Sequence, residues 1–255
     1  MSSHSFASSA AGFDAGALIP PLVQSTTFCL DGIGAGAPHT YSRASNPTVD
    51  ALEIALGALA AAPPAVAFAS GLAAEHALFL ALLRQGSEIV VGDVVYGGTT
   101  RLLERFFVPF GIRVRSVDAS DPKAVAAALS CDTACLFVET PANPTLKLVD
   151  LRALAAIARA AGVPFVVDDT FLTGDLRPLD AGATACVLST TKFCEGHGVA
   201  IGGAITSRDD ALLERLRFVR KATGAIQKPF DAWLTRNGLE TLPLRLARHA
   251  ATALQ

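Results

Sequence analysis

Short apolar segments alternate with helices from about residue 47 onward, and this alternation restricts the fold more than any other feature of the chain. The segments predicted to be strands lie at residues 65–68, 89–91, 114–117, 134–138, 165–168 and 186–189. One helix is predicted to begin at Pro47, where Asn46 can cap the free amides, and another at Gly71. Two further helices are predicted at residues 101–107 and 151–161. Short apolar strands separated by helices are typical of the α/β class, with a mostly parallel sheet covered by helices on both faces.

Two of these strands end in side chains that suit a pyridoxal 5'-phosphate (PLP) site. One ends in Asp168, and the other runs into hydroxyls and Lys192 at residues 189–192. The lysine would hold PLP as a Schiff base, the acid would keep the pyridine nitrogen protonated, and the hydroxyls would take the phosphate. The alternative is a buried acid facing an unrelated surface lysine. That alternative is weakened because Gly71 and Glu139 also fall at carboxyl ends of strands, where such sheets bind ligands.

A turn of small residues and two tyrosines add to this hypothesis. Gly71 opens a helix whose free amides and dipole would favour a phosphate. Tyr41 and Tyr96 both stand in polar turns. Tyr96 could lie flat on a cofactor ring, and Arg43 could grip a phosphate through its forked donors. A turn tyrosine and a surface arginine without function are the alternatives.

Composition indicates an enzyme rather than a nucleic-acid or membrane protein. The net charge is near −2, and no apolar run reaches the length of a membrane span. The first 11 residues are polar and lack the pattern of a signal peptide, so we expect a cytoplasmic protein with its five cysteines reduced. We expect no metal site. Cys131 and Cys135 could form a metal-binding pair, but Cys135 lies in an apolar strand, where core packing explains it better, and His197 is the only histidine in its glycine-rich turn.

These motifs occur in the order found in the Cys/Met-metabolism group of fold-type I PLP enzymes (cystathionine γ-synthase-like), which the chain resembles over nearly its whole length. The matching segments lie at residues 20–28, 41–48, 70–71, 96–99, 139–145, 167–171 and 189–198. The resemblance implies the PLP-transferase large domain, with a sheet of seven strands. It also implies an arm at 1–46 that contacts a neighbouring subunit, a PLP-binding domain at 47–240, and the start of a helix leading to a C-terminal domain at 241–255.

The resemblance also assigns roles to individual residues. Lys192 would be the Schiff-base lysine and proton shuttle, Asp168 would pair with the pyridinium nitrogen, and Tyr96 would stack on the ring. The other implied cofactor-binding residues of the same subunit are Ser70, Gly71, Leu72, Asn143, Ser189 and Thr191. Tyr41 and Arg43 would reach the phosphate of a neighbouring subunit, which implies a homodimer or homotetramer.

Features near His197 favour one reaction within this family. Gly198 after this histidine resembles the O-acetylhomoserine and O-succinylhomoserine sulfhydrylases, whereas synthases and lyases more often have Ser-Asp there. We therefore expect γ-replacement on an O-acylated homoserine, a small amino-acid substrate, with sulfide or a thiol. A cystathionine γ-synthase or γ-lyase is the alternative, since Glu139-Thr140-Pro141 is also common in the synthases and the chain lacks the long insertion usual in the O-acetylhomoserine group.

Two departures from the family pattern bear on these expectations. Asp169 stands where the family usually has Asn, and a second buried carboxylate beside Asp168 would raise one pKa by repulsion. Family members also continue for roughly another third, in a C-terminal domain with an arginine that binds the substrate carboxylate, whereas this sequence stops at Gln255 inside a predicted helix. The expectation is thus either a working transferase, shown as a fragment or completed by another chain, or a truncated PLP-binding homologue without catalysis.

Overall fold

Seven strands form one sheet in which six strands point the same way, as the alternating pattern predicts. The computed structural model describes residues 18–32, 36–171 and 173–255. The strands are β1 (Val66–Phe68), β2 (Glu88–Gly92), β3 (Arg113–Val117), β4 (Thr133–Glu139), β5 (Phe165–Asp168), β6 (Ala185–Leu188) and β7 (Gly203–Ser207). Their order across the sheet is β1-β7-β6-β5-β4-β2-β3, with β7 antiparallel to both of its neighbours. The carboxyl ends of β1, β2, β4, β5 and β6 therefore share one edge.

Helices cover both faces of this sheet. They are α1 (Pro47–Leu59), α2 (Gly71–Leu82), α3 (Gly97–Leu102), α4 (Pro122–Ala128), α5 (Leu151–Ala160), α6 (Pro178–Ala181), α7 (Asp210–Thr223), α8 (Pro229–Leu239) and α9 (Leu242–Ala253). Successive residues of β5 show the two layers: Val166 packs with α2 and α7, and Val167 packs with α4, α5 and α6. A third cluster, on the same face as Val167, joins α1, α8 and the start of α9. The predicted α/β fold with helices on both faces is confirmed.

Capping side chains fix the two helix starts that the sequence predicts. The Asn46 side chain accepts a hydrogen bond from the amide of Thr48 at 2.9 Å, ahead of Pro47 in the first turn of α1. Ser70 caps α2 in the same way through the amide of Ala73, at 3.0 Å. Each cap satisfies a donor that would otherwise lack a partner within the helix. The start of α2 is thereby set at Gly71, directly after β1.

The structure differs from the sequence prediction in three places. The predicted helix at 101–107 is α-helical only to Leu102, and continues as a π-helical turn over Leu103–Phe107. Strand β7 was not predicted, although all five of its residues are buried, because it begins at a glycine and ends in Thr206 and Ser207 and so lacks the apolar run of the other strands. Helices α4, α6, α7 and α8 were not predicted either. None of the helices in the described part of the chain is long and apolar enough to cross a membrane.

The last helix packs on the core through two of its leucines. Leu242 is buried in the cluster with α1 and α8, and Leu246 packs against that cluster. Leu244, between them in the sequence, is 74% exposed. Arg245 anchors the same helix, because its guanidinium donates to the carbonyls of Gly238 at 2.7 Å and Phe193 at 2.6 Å.

Candidate active site

A cavity of about 450 Å³ opens at the carboxyl edge of the sheet. Its walls come from the loops that follow β1, β2, β4, β5 and β6, because those strands end side by side. Nine of the eleven predicted site residues line it: Ser70, Gly71, Leu72, Tyr96, Asn143, Asp168, Ser189, Thr191 and Lys192. The structure thus brings together residues that lie up to 122 positions apart, Ser70 and Lys192 being the extremes.

Asp168 is the buried acid of this cavity. It ends β5, and its Oδ1 accepts hydrogen bonds from the amide and the hydroxyl of Thr170, at 3.0 and 2.6 Å. Burial raises its pKa, and the two bonds from Thr170 act in the opposite direction. Oδ2 accepts no hydrogen bond from the residues that the structure describes, which leaves it available to a ligand in the cavity. The Thr170 hydroxyl also accepts from the amide of Ser189 at 2.9 Å, so it joins the ends of β5 and β6.

Glu139 ties two other loops of the cavity together. It stands beside Asp168 in the register of β4 and β5. Its Oε1 accepts from the amide of Asn143 at 2.9 Å, and its Oε2 accepts from the amide of Tyr96. Its pKa is raised to about 7, chiefly by burial and also by the Asp168 carboxylate, while the two amides act in the opposite direction. One carboxylate therefore positions the backbones of both Tyr96 and Asn143.

The Tyr96 ring lies folded back over the helix that follows it. A Cβ added to Gly98 would lie only 2.3 Å from Cε1 of Tyr96. Only a glycine at position 98 leaves room for the ring in this orientation. The ring is 46% exposed and borders the cavity, so one face is open to a flat ligand.

Backbone amides and one free hydroxyl gather at the start of α2. Gly71 lies against Ser189, since a Cβ on Gly71 would be 3.0 Å from Cβ of Ser189. This contact holds the helix start, with the amides of Gly71 and Leu72, next to the Ser189 hydroxyl, which makes no hydrogen bond within the described chain. Thr191 differs, because its hydroxyl donates to the carbonyl of Gly202 and accepts from its amide, both at 3.0 Å. An anion at the helix start would meet Ser189 directly, whereas Thr191 would have to give up its bond to the carbonyl to donate.

Lys192 is exposed at the rim of the cavity, and a network of buried groups shapes the turn that follows it. The Oε2 atom of Glu195 accepts from the amides of His197, Gly198 and Val199, at 3.0, 2.6 and 3.2 Å. Because three amides converge on one buried carboxylate, the glycine-rich turn has a defined path. The contact of Arg245 with the Phe193 carbonyl holds the same segment from the side of α9.

Tyr41 and Arg43 do not join this cavity. Arg43 donates to the carbonyl of Lys221 at 2.5 Å and lies 5.3 Å from the centre of the Tyr41 ring. Both side chains are exposed. If these two residues act on a neighbouring subunit, as predicted, they should lie away from the cavity of their own chain. Contacts within a single chain do not test that prediction.

Three residues of the site were missed by the sequence analysis. Glu75 lines the cavity from α2, Thr170 orients Asp168, and Glu195 holds the turn after Lys192. Glu75 carried a signal, because it is the single acid in the helix that begins at Gly71 and only His76 beside it is also polar. Glu195 stands beside the glycines of a loop, where an acid is usually solvated, so the sequence gave no indication of its burial.

The residues present fit PLP. The cavity volume is within the usual range for small-molecule sites, about 300–1,000 Å³. A buried acid with one free oxygen, a helix start with exposed amides, an aromatic ring and a lysine surround the same space. These features define the class of PLP-binding α/β enzymes.

Comparisons with known proteins agree with this class. The model of the Cys/Met metabolism PLP-dependent enzyme family matches residues 6–255, and the chain belongs to that family. It is 41% identical over 240 residues to a probable cystathionine γ-synthase of Herpetosiphon aurantiacus, covering 94% of this chain and 75% of that protein. It is 42% identical over 235 residues to mouse cystathionine γ-lyase, covering 91% of this chain and 59% of the lyase. Members of this family use PLP.

Solved structures show the same fold. The crystal structure of metB from Corynebacterium glutamicum superposes with a TM-score of 0.90 at 37% identity, covering 95% of this chain and 65% of that one. A cystathionine γ-synthase from Xanthomonas oryzae pv. oryzae, solved with aminoacrylate and cysteine, gives a TM-score of 0.88 at 37% identity and is covered over 60% of its length. The chain thus spans roughly 60–75% of the lengths of these relatives.

Proposed function

We propose that this chain binds PLP in the cavity at the sheet edge and catalyses replacement or elimination at the γ carbon of an amino-acid substrate. The observation that supports this most directly is the placement of Asp168 and Lys192 on one cavity. When bound, PLP supplies an electron sink that stabilises negative charge on the substrate carbon. The chain's own residues would provide binding, orientation and proton transfer around it.

The proposed roles follow from the contacts of each residue. Asp168, oriented by Thr170, would meet the ring nitrogen with its free Oδ2. The amides of Gly71 and Leu72 and the Ser189 hydroxyl would hold the phosphate, with Ser70 fixing the helix start. These groups converge because the ends of β1, β5 and β6 meet at one edge.

The remaining roles concern the open side of the cavity. Tyr96 would cover one face of the ring and exclude water, and Asn143 would lie beside the ring hydroxyl, both held through Glu139. Lys192, on a long side chain at the rim, would hold the cofactor. Once released, its amine would move a proton at the substrate.

The relatives favour cystathionine chemistry over the sulfhydrylase reaction that the sequence motifs suggested. Those reported above are named cystathionine γ-synthase or γ-lyase. We therefore propose a synthase or lyase reaction on a γ-substituted amino acid first. Sulfhydrylation of an O-acylhomoserine is the second candidate, supported by Gly198 after His197. Assembly into a homodimer or homotetramer through Tyr41 and Arg43, and a cytoplasmic location, remain part of this proposal.

The visible absorption of the purified chain with added PLP tests the cofactor site. We expect a band from the lysine-bound cofactor in the parent, its loss in Lys192→Ala, and its retention in Lys123→Ala, where an exposed lysine on α4 is removed. Absence of the band from the folded parent would refute the proposal. Assays with acylated homoserines and either cysteine or sulfide, and with cystathionine alone, would then separate synthase, sulfhydrylase and lyase activity by product.

A further inference from the structure

Glu75 is a buried acid in the wall of the cavity, and the proposed function assigns it no role. It lies one turn into α2, only 3% exposed, and lines the cavity with Asp168 and Glu139. Its Oε1 accepts a hydrogen bond from the hydroxyl of Thr99 at 2.8 Å. Its Oε2 is buried and has no partner among the residues that the structure describes.

This unpartnered atom is unusual for its position. Seven buried side chains in the described part of the chain carry such an atom, and Glu75 is the one among them that lines the cavity. A buried polar atom without a partner costs about 1–3 kcal/mol, so natural structures rarely keep one unless a ligand or water completes it. Because Glu75 lines the cavity, a ligand bound there is a candidate for that partner.

The surroundings of Glu75 also shift the pKa of its carboxyl group. Burial raises its pKa well above the ordinary value, and the Asp168 and Glu139 carboxylates raise it further, while the bond from Thr99 acts in the opposite direction. Burial and the two neighbouring carboxylates favour the neutral, protonated form of this carboxyl group. Because Oε1 already accepts from Thr99, Oε2 is the atom free to carry a proton and to donate a hydrogen bond.

We propose that Glu75 is a further residue of the cofactor site, a neutral carboxylic acid that donates a hydrogen bond from Oε2 to PLP at the end of the cavity where Asp168 lies. The inference rests on the proposed PLP site. The amides at the helix start near Gly71 would hold the phosphate. Glu75 lies one turn further along the same helix and interacts electrostatically with Asp168, so it would meet the same part of the cofactor as Asp168. Glu75 would then be a cofactor-contacting residue that adds a donor without adding charge.

Three variants separate this role from a structural one. Glu75→Gln keeps the shape and a neutral donor, Glu75→Leu removes the donor, and Thr99→Val removes the bond to Oε1 while leaving Oε2 in place. We expect the dissociation constant of PLP to stay within about 3-fold of the parent in the Gln and Val variants and to rise about 3- to 10-fold in the Leu variant, which is the range for one hydrogen bond. Spectrophotometric titration with PLP measures all four proteins.

Infrared spectroscopy provides a second measurement that does not require the Leu variant to fold. The difference between the spectra of the parent and of Glu75→Gln should contain a carbonyl stretch of a protonated carboxylic acid, and this band should shift when PLP is added. Bands from other buried carboxyl groups, such as Asp169, are present in both proteins and cancel in the difference. A difference spectrum without this band, or a band that ignores PLP, would overturn the inference.

The outcomes also distinguish the inference from the proposed function. If the folded parent fails to bind PLP, the proposed function itself fails. If the parent binds PLP and loses the visible band in Lys192→Ala, yet Glu75→Leu binds PLP as tightly as the parent, the role of Glu75 alone is refuted. Equal losses in the Gln and Leu variants would show that a neutral donor at position 75 does not support PLP binding, which contradicts the inference.

Discussion

Glu139→Gln tests the electrostatics of the cavity through the pH dependence of stability. The pKa of Glu139 is raised from 4.5 to about 7, chiefly by burial. The shift corresponds to about 3 kcal/mol at 1.36 kcal/mol per pKa unit, and we reduce this to roughly 1–2 kcal/mol because the carboxyl group borders an open cavity where water screens it. Glutamine keeps the size of the side chain but cannot ionise.

The sign of the effect follows from proton linkage. The folded chain holds the Glu139 proton more tightly than the unfolded chain does. The stability contributed by the protonated group is therefore fully present below the unfolded pKa of about 4.5, and is lost as the pH rises through about 7. Raising the pH should destabilise the parent relative to Glu139→Gln, which lacks this titration.

Urea unfolding of both proteins between about pH 5 and about pH 8 measures this difference. We expect the free energy of unfolding of the variant, minus that of the parent, to increase by roughly 1–2 kcal/mol over this range. Glu104→Gln, which removes an exposed carboxylate on the surface, serves as the control and should show no such trend. A difference between Glu139→Gln and the parent that stays constant with pH would refute the argument.

The same substitution should weaken the cofactor site while it relieves the charge. Glutamine replaces one of the two carboxylate oxygens by an NH2 group, so one of the two backbone amides, that of Tyr96 or that of Asn143, would face a donor where it now meets an acceptor. One loop thus loses a hydrogen bond, which is worth about 0.5–1.5 kcal/mol when Glu139 is protonated and about 1.5–3 kcal/mol when it is charged. We expect a higher dissociation constant for PLP, measured by the same spectrophotometric titration, and unchanged affinity would show that Glu139 does not position these loops.

Two further substitutions test other parts of the structure. Gly98→Ala should displace the Tyr96 ring and weaken PLP binding by about 2- to 10-fold, which is the range for one aromatic contact. Gly97→Ala is the control, because a Cβ at that position meets no atom within 4 Å. Equal PLP affinities of the two variants would refute the packing argument. Arg220→Met should reduce the free energy of unfolding, measured in urea, by about 3–5 kcal/mol, because it leaves the buried Glu53 carboxylate without its cation. Adding Glu53→Gln to the same chain should recover part of that loss. A reduction below about 1 kcal/mol in Arg220→Met would contradict the prediction.

The predictable part of the site lies in the loops at the strand ends. Asp168, Lys192 and Gly71 were found from sequence because apolar strands mark where the chain reaches the sheet edge, and the residues just beyond face a ligand. The cavity brings these three residues together. Their roles in chemistry stay predictions until the cofactor is titrated.

Residues that act through other residues could not be found in this way. Glu195 is an acid among glycines, and only the folded turn shows three amides converging on it. Thr170 joins β5 to β6 through contacts 19 positions apart, which no local pattern reveals. Strand β7 was missed for a related reason, since its place between β1 and β6 depends on pairing with distant segments.

The acids around Asp168 explain how the chain tolerates a departure from the family pattern. Asp169, which stands where the family usually has an amide, is buried, and its pKa is raised well above the ordinary value by burial and then by Asp168. A raised pKa favours the protonated form, and a protonated aspartic acid has nearly the shape of asparagine and, like it, carries no charge. The pKa of Glu75, which lines the cavity with Asp168, is raised in the same direction by burial and by Asp168. Asp168 accepts two hydrogen bonds from Thr170 that lower its pKa, and it is therefore the acid of the three best placed to face a cationic ring nitrogen.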